Sequence, residues 1–187
     1  MKAIILASKS PRRKELLEKC GIPFICDPAN IDETLKKGLS IPETIQELSC
    51  RKAAAVLERH PHCIVIGSDT AVTIDQEVLG KPVNREHAFE MLKKLQGRTH
   101  QVVTGLCVKS EFRTYQNVSV SDVTFASMTD EEINQYIDTG ECDDKAGAYG
   151  IQGYGGRYIT HISGDFYAIM GLPLNMLYEE LKNISLY

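Results

Sequence analysis

The sequence contains no apolar run long enough to span a bilayer, and it lacks the pattern of a signal peptide. Residues 3–7 are apolar, but that run is too short for either role. These absences argue against a membrane-spanning protein and predict that the chain has no membrane partner.

The sequence also lacks a C-x-x-C pair among its six cysteines, which argues against a zinc site. Several of these cysteines lie in apolar strand or helix patterns, which is typical of small buried hydrophobic side chains. Scattered cysteines of this kind are usual in a reducing compartment, so we expect a reduced, cytoplasmic protein.

There is no excess of positive charge either, because the formal net charge of the 187 residues is −4. That balance argues against general binding of nucleic acid, and it requires any anionic ligand to be bound by locally clustered cations. We find no internal repeat, low-complexity tract or linker. The sequence therefore predicts a single domain over residues 1–187.

Residues 6–13, LASKSPRR, follow an apolar strand and begin a helix, for which Ser10 is a good N-cap and Pro11 a good first residue. Arg12 and Arg13 come next, at the positive end of the helix dipole, where each cation costs about 0.3–1 kcal/mol. Free N–H groups and two guanidiniums in one place predict a binding site for a polyphosphate. A solvated basic turn is the alternative interpretation.

Carboxylates that could hold a metal occur at two places. Residues 30–34 form an acidic loop that includes Glu33, although most such loops are only solvated. Residues 63–67 predict a strand buried on both faces, and Asp69 follows at its carboxyl end, where open α/β sheets bind ligands. Asp69 could also only cap the turn that follows the strand.

Two capping boxes, Ser40 with Glu43 and Thr129 with Glu132, predict helices that end near His60 and Gly140. The other predicted elements are a helix from Pro11 to about Cys20, a strand at 24–26, a hairpin of 71–74 with 77–79, a helix at 85–95, strands at 99–109, 114–126 and 157–163, and a helix from Pro173 to about Asn183.

Further basic side chains occur within the long helix and in a turn. Arg51 and Lys52 lie in the middle of the helix that begins at Ser40, and we expect them on a solvated flank unless the helix borders the phosphate site. Residues 80–82, Gly-Lys-Pro, predict a turn that presents Lys81.

Residues 140–156 contain six glycines, but neither their spacing nor their context matches a Walker loop or a dinucleotide-binding fingerprint. Glycines at this density allow the backbone to approach a ligand closely. A merely flexible loop is the alternative, although Tyr149 and Ile151 favour an ordered segment.

Together these stretches resemble the Maf family of nucleoside-triphosphate pyrophosphatases. The resemblance rests on LASKSPRR (6–13), IDET (31–34), RKA (51–53), GSDT (67–70), GKP (80–82), THQVVTG (99–105), DKAGAYGIQG (144–153) and GLPL (171–174). It implies an ITPase-like α/β fold in which helices flank an elongated mixed sheet, with the active site in a cleft between two lobes. It also implies homodimers and a divalent-metal-dependent release of pyrophosphate from nucleotides.

Three positions distinguish branches of the family. The branch that acts on 7-methyl-GTP typically has Trp where this chain has Arg12, Gln where it has Thr70, and no counterpart of the GIQG motif that contains Gln152. The resemblance therefore implies the branch that acts on dTTP and UTP. A glutamine amide can both donate and accept, which matches the N3–H and O4 edge of uracil or thymine.

The resemblance assigns candidate roles to individual residues. Glu33 and Asp69 would hold Mg²⁺ or Mn²⁺, since hard cations prefer oxygen ligands. Asp69 is also the candidate base for the attacking water, and the sequence does not distinguish that role from metal ligation alone. The residues implied in binding or selecting the substrate are Ser8, Arg12, Arg13, Lys52, Thr70, Lys81, Lys145 and Gln152.

A non-hydrolysing nucleotide sensor that regulates septation is the rival hypothesis, since the family's name refers to septum formation. Such a module would need cations for the phosphates but no carboxylates beside them. Glu33 and Asp69 therefore favour an enzyme.

Overall fold

The computed structural model describes residues 2–34, 36 and 38–185. The strands in this part of the chain are β1 (Ile4–Leu6), β2 (Ile25–Cys26), β3 (Ile64–Ile74), β4 (Glu77–Leu79), β5 (Thr99–Lys109), β6 (Thr114–Phe125) and β7 (Ile159–Ser163). The helices are α1 (Pro11–Glu18), α2 (Ile41–Arg59), α3 (Arg85–Leu95), α4 (Asp130–Ile137), α5 (Phe166–Met170) and α6 (Leu174–Ser185), with 3₁₀ turns at Ala146–Ala148 and Tyr154–Tyr158.

The seven strands form one mixed sheet in the order β2-β1-β3-β5-β6-β7, with β4 paired to β3 outside this path. Strand β1 runs parallel to both neighbours, so that Ile5 lies opposite Ile25 on one side and Val65 on the other. The pairs β3–β4 and β6–β7 are antiparallel. A mixed sheet with helices confirms the predicted α/β class.

The chain divides into two compact units. Unit 1 consists of Met1–Asp69, Thr104–Ser119 and Gly171–Tyr187, and unit 2 consists of Thr70–Val103 and Val120–Met170. Strands β3, β5 and β6 each contribute residues to both units. The assignment of one domain to residues 1–187 stays a prediction, and its two terminal residues lie outside the described part of the chain.

The core of unit 1 is built from β1, β3, β5 and one face of α2. Leu16 and Leu17 of α1 are fully buried, as the sequence predicts. The buried side chains that pack together there are Ile5, Ala7, Ala53, Val56, Val65 and Cys107. The apolar face predicted for α2 is thus the face that packs on the strands.

Helix α2 lies unusually close to β3 at Gly67. A Cβ atom built on Gly67 would lie 2.2 Å from the carbonyl oxygen of Ser49 and 2.9 Å from the backbone nitrogen of Ala53. Any side chain at position 67 would push α2 away. Gly67 therefore holds residues 49–53 of the helix against the strand, two residues before Asp69.

The core of unit 2 lies under α3 and α4, which pack against one another. Leu92 and Leu95 of α3 and Ile133 and Tyr136 of α4 are fully buried. The spacing of these residues places one apolar stripe on each helix.

The predicted helix starts agree with the structure. Ser10 caps α1, Asn84 caps α3, and reciprocal capping boxes join Ser40 with Glu43 and Thr129 with Glu132. These caps involve residues at most three positions apart, which is why the sequence predicts them well.

Several predicted ends are wrong by two or three residues. Helix α1 ends at Glu18 and α4 at Ile137, while turns continue the chain to the following glycines. Strand β7 begins at Ile159, because residues 154–158 form a 3₁₀ turn. The short helix α5 was not predicted, since its apolar residues show no helical period.

Asp69 does not follow the end of a strand, as the sequence predicts, but lies within β3. The strand continues through the polar residues 68–70 to Ile74. Its pairing partner changes instead, because residues 64–66 pair with β1 and residues 72–74 with β4. Asp69 lies between these paired stretches, where the backbone stays extended although the apolar pattern is interrupted.

All six cysteines are free, with Cys107 and Cys142 buried, Cys26 exposed and the others half-buried. The expectation of buried cysteines is thus confirmed for two of them. None of the helices in the described residues is long and apolar enough to cross a membrane.

Candidate active site

The loop before α1 and the first turn of the helix form a compact polar corner of unit 1. The buried Ser8 Oγ accepts a hydrogen bond from the Ser10 backbone N–H at 3.1 Å, and Ser10 Oγ accepts one from the Arg13 backbone N–H at 3.4 Å. Arg12 and Arg13 are both half-buried. The two arginines therefore lie at the N-terminus of α1, as the sequence predicts.

The carbonyl oxygen of Gly171 joins three of the sequence motifs. It accepts a hydrogen bond from Arg13 Nε at 2.8 Å and a second from Ser68 Oγ at 3.0 Å. Arg13 Nη1 also donates to Ser8 Oγ at 3.4 Å. The residues of LASKSPRR, GSDT and GLPL are thus brought together around one backbone oxygen, and the orientation of Arg13 is fixed.

Lys52 links the two candidate metal ligands. Its Nζ atom lies 2.5 Å from Asp69 Oδ1 and 2.9 Å from Glu33 Oε1. The Lys52 side chain is only 10% exposed, whereas that of Glu33 is 60% exposed. Lys52 is therefore not on a solvated flank, the alternative that the sequence leaves open, because the close approach of α2 to β3 buries this lysine.

Two sets of contacts in unit 1 meet at Ser68 and Asp69, which are adjacent in β3. Arg13 contacts Ser8 and shares the Gly171 carbonyl with Ser68, while Lys52 contacts both Asp69 and Glu33. Burial lowers the pKa of the Arg13 guanidinium, and the charge of Asp69 opposes that effect. The contacts thus bring together Ser8, Arg13, Glu33, Lys52 and Asp69, and Arg12 lies next to Arg13 in the first turn of α1.

The carboxylates of Glu33 and Asp69 supply oxygen atoms of the kind that bind divalent cations. Both face a single position of positive charge, the Lys52 ammonium, and both supply the oxygen ligands that Mg²⁺ and Mn²⁺ prefer. The described residues contain no group of three or more His, Cys, Asp or Glu side chains that could hold a metal. Two carboxylates are too few to hold a cation alone, so a cation bound there would need further ligands from substrate or water.

Arg51 holds the loop that carries Glu33, a role that the sequence did not predict. Its Nη1 donates to the carbonyl of Asp32 at 2.6 Å and its Nη2 to the carbonyl of Thr34 at 3.1 Å. Nη2 also donates to Glu47 Oε2 at 3.0 Å. Only the spacing of Glu47 and Arg51, four residues apart on a helix, gave a signal, and it indicates an ordinary surface ion pair.

The four remaining candidates belong to unit 2. Thr70 lies within β3, Lys81 is exposed after β4, and Gln152 is exposed in a turn of the glycine-rich segment. Lys145 Nζ donates to the carbonyl of Glu141 at 2.6 Å and to Asp144 Oδ1 at 2.8 Å. Lys81, Lys145 and Gln152 lie on irregular backbone and Thr70 lies on a strand, and none of the four is fully buried.

The turn with Lys81 and the glycine-rich segment are neighbours. The Gly147 N–H donates to the carbonyl of Gly80 at 3.0 Å. This backbone hydrogen bond joins the GKP and DKAGAYGIQG motifs within unit 2.

Tyr149 anchors the glycine-rich segment in the core of unit 2. Its hydroxyl lies 2.8 Å from Nε2 of the buried His100, and both rings stack edge-on with Phe125. Burial lowers the pKa of His100 to about 4, so the imidazole is neutral at neutral pH. The ordered segment favoured by Tyr149 is thus what the structure shows.

Two further residues of this region were missed, Tyr136 and Glu141, which contact the backbone of residues 150–155. A carboxylate beside many glycines is a usable signal, because glycine-rich turns expose backbone N–H groups that need acceptors. Tyr136 gave no such signal, since its position on the apolar face of α4 indicates only a core residue.

The chain is similar to known proteins over nearly its full length. The family model described as "Maf-like protein" matches residues 3–184. A "dTTP/UTP pyrophosphatase" of Bacillus mycoides strain KBAB4 is 46% identical over 185 residues, which is 99% of this chain and 97% of that protein. A protein of the same name from Bacillus cytotoxicus is 47% identical over the same shares of both chains.

A solved structure supports the fold alone. The Staphylococcus aureus Ham1 protein matches with a TM-score of 0.54 over 97% of this chain and 99% of that chain, at 15% identity.

Proposed function

Because the chain belongs to the family of Maf-like proteins, we propose that it is a nucleoside-triphosphate pyrophosphatase that hydrolyses dTTP and UTP. The products would be the nucleoside monophosphate and pyrophosphate. Identities of 46% and 47% over nearly the full length of proteins named dTTP/UTP pyrophosphatase support this assignment.

The observation that carries the proposal is the Lys52 contact with both Glu33 and Asp69, beside Arg12 and Arg13. Phosphate binding alone calls for cations, whereas hydrolysis also calls for a group that orients and deprotonates water. A cluster of both signs, held in fixed geometry, supports an enzyme.

Water would attack the α-phosphorus, and the bond from that phosphorus to the oxygen bridging to the β-phosphate would break. We assign the proton of the attacking water to Asp69, whose carboxylate Lys52 keeps in place through the 2.5 Å contact. Ser8, Arg12, Arg13 and Lys52 would bind the phosphate oxygens, since charge-assisted hydrogen bonds are the strong ones.

Glu33 and Asp69 are also the residues that would hold a divalent cation, Mg²⁺ or Mn²⁺. Bound there, such a cation supplies charge neutralisation for the phosphate oxygens.

We assign selection of the nucleobase to unit 2. Gln152 would donate to O4 and accept from N3–H of uracil or thymine. Thr70, Lys81 and Lys145 are proposed to bind or select the nucleotide, as the resemblance implies. We also propose that the protein is a cytoplasmic homodimer without nucleic-acid or membrane partners. Light scattering of the purified protein gives its molar mass in solution and so tests whether it is a dimer.

The deciding experiment incubates the protein with Mn²⁺ or Mg²⁺ and a panel of UTP, dTTP, CTP, GTP and ATP in ¹⁸O-labelled water. We expect pyrophosphate from UTP and dTTP, with the label in the monophosphate. Release of inorganic phosphate, or label in pyrophosphate, contradicts attack at the α-phosphorus.

Lys52→Met and Lys94→Met form a matched pair of variants for this assay. Lys94 contacts Glu77 at 2.5 Å on the surface of unit 2, so its loss should leave turnover unchanged. Lys52→Met should abolish most of it. Nucleotide binding without any turnover of the wild type would favour the septation regulator instead.

A further inference from the structure

Glu141 lies where the glycine-rich segment turns back on itself. Its Oε2 atom accepts a hydrogen bond from the Tyr154 backbone N–H at 2.6 Å, and its Oε1 atom accepts one from the Gly155 N–H at 3.1 Å. One carboxylate thus holds two successive N–H groups at the C-terminal end of the turn that contains Gln152.

Tyr136 completes this arrangement from helix α4. Its buried hydroxyl donates to Glu141 Oε1 at 2.8 Å and accepts a hydrogen bond from the Gly150 N–H at 3.0 Å. The pair Tyr136 and Glu141 therefore holds both ends of residues 150–155. Gln152 lies between those ends, with its side chain exposed.

The backbone of the segment is shaped around the carboxylate. A Cβ atom built on Gly153 would lie 2.0 Å from Glu141 Oε2, and one built on Gly150 would lie 2.8 Å from Oε1. No other residue fits at position 153 while Glu141 keeps its place. The tight space at these two glycines agrees with the hydrogen bonds in showing how closely the turn packs on this side chain.

The charge states agree with these donor and acceptor roles. Burial acts to raise the pKa of Glu141, but hydrogen bonds from Gly155, Tyr136 and Tyr154 more than offset that effect and lower the pKa. Burial and the hydrogen bond to Glu141 raise the pKa of Tyr136. An ionised acceptor and a protonated phenol are the forms that these hydrogen bonds require.

We propose that Glu141, together with Tyr136, is a positioning residue that sets nucleotide selectivity by fixing the turn that presents Gln152. The proposal rests on the proposed function, in which Gln152 reads the pyrimidine edge. Glu141 touches no reacting atom in this scheme, so its effect is on the choice among nucleotides.

The test measures kcat/KM for UTP and GTP, by pyrophosphate release at equal Mn²⁺, in wild type and in Glu141→Gln. The variant keeps the size of the side chain but turns an NH₂ group toward N–H donors. We expect the UTP-to-GTP ratio to fall about tenfold while kcat/KM for GTP changes less than about twofold. Glu131→Gln, on the exposed side of α4, is the matched control and should leave the ratio unchanged.

A double-mutant cycle separates this role from a purely structural one. In a Gln152→Ala background, Glu141→Gln should no longer change the ratio, because both changes act through the same side chain. An equal fall of kcat/KM for UTP and GTP, or the same fall of the ratio in both backgrounds, overturns the proposal.

Tyr136→Phe is a second, more conservative variant that tests the proposal if Glu141→Gln does not fold. It removes the hydroxyl that joins Glu141 to Gly150, so the UTP-to-GTP ratio should fall in the same direction, and an unchanged ratio overturns the proposal. The proposed function and this inference fail on different results. If the wild type releases no pyrophosphate, the proposed function is contradicted. If the wild type is active and prefers UTP, and Glu141→Gln keeps the same UTP-to-GTP ratio, only this inference is contradicted.

Discussion

The loop at residues 32–34 in unit 1 and the turn at residues 150–155 in unit 2 are both irregular backbone held by one charged side chain, of opposite sign. In unit 1, the Arg51 guanidinium donates to two carbonyl oxygens. In unit 2, the Glu141 carboxylate accepts from two backbone N–H groups.

The difference follows from what each segment presents. The loop in unit 1 presents the charged Glu33, and its carbonyl oxygens need a donor, which the Arg51 guanidinium supplies. The turn in unit 2 presents the neutral Gln152 and needs an acceptor for its free N–H groups. On our proposal, the loop in unit 1 thus presents a charge, and the turn in unit 2 presents a neutral hydrogen-bonding edge. Changes at the loop should therefore affect all nucleotides, and changes at the turn the choice among them.

The largest effect is expected for Asp69→Asn, which keeps the shape of the side chain and removes its charge. One positioned base or ligand is worth roughly 10²–10⁴-fold in rate, so kcat should fall by that factor for every nucleotide. Steady-state kinetics at saturating metal measure it, with Asp75→Asn in the exposed turn after β3 as control. Near-normal kcat would contradict both roles assigned to Asp69.

Acid should affect unit 2, because the Tyr149 anchor depends on a neutral His100. The pKa of His100 is about 4 in the folded chain, where burial lowers it from the ordinary value of 6.5. Between these values the unfolded chain binds the proton and the folded chain does not, so stability falls as pH drops from 6.5 to 4. The loss from His100 should be about 3 kcal/mol.

Urea unfolding of wild type and His100→Gln at pH 7, 5.5 and 4 measures this contribution. The variant cannot take up the proton, so its stability should vary less with pH than that of the wild type. Parallel pH profiles for the two proteins would show that His100 is not the group responsible. His100 Nδ1 has no hydrogen-bond partner in the described part of the chain, which adds to the cost of protonation.

Gln152→Glu should reduce the preference for UTP and dTTP over purine nucleotides, and it leaves the charged residues of unit 1 unchanged. A carboxylate cannot donate to O4, and a polar group that the bound nucleotide buries without a partner costs about 1–3 kcal/mol, so kcat/KM for UTP and dTTP should fall roughly 5- to 150-fold. Purine nucleotides should be much less affected. The panel assay measures this against Gln135→Glu on α4, and an equal fall for all nucleotides would move Gln152 into the catalytic machinery.

The smallest effect is expected for Arg51→Ala, which frees the loop that carries Glu33. The Mn²⁺ concentration for half-maximal activity should rise about tenfold, as is usual when a group that orients a metal ligand is lost. Arg59→Ala is the matched control, since Arg59 on the same helix contacts Asp27 and the carbonyl of Pro28. A change in the UTP-to-GTP ratio, rather than in the metal requirement, would contradict the comparison.

Much of the candidate site was predictable because the motifs are contiguous. Ser10 caps α1 through an atom three residues away, and Ser8, Arg12 and Arg13 lie within the same stretch. The α/β class is what the family resemblance implies, and the structure confirms it. The family resemblance then names residues such as Glu33 and Asp69 without saying how they meet.

What the sequence by itself determined, then, is every feature whose partners lie within a few residues: caps, helix starts and the local crowding of charge in LASKSPRR. The tertiary structure decided which of the charges meet. Arg13 contacts Gly171 across 158 positions and Lys52 contacts Asp69 across 17, and neither pair leaves a periodic signal. Lys52 follows a helical pattern typical of a solvated flank, and only the packing of α2 against Gly67 carries its ammonium to two carboxylates, because burial of a charge is set by the partners that the fold brings to it.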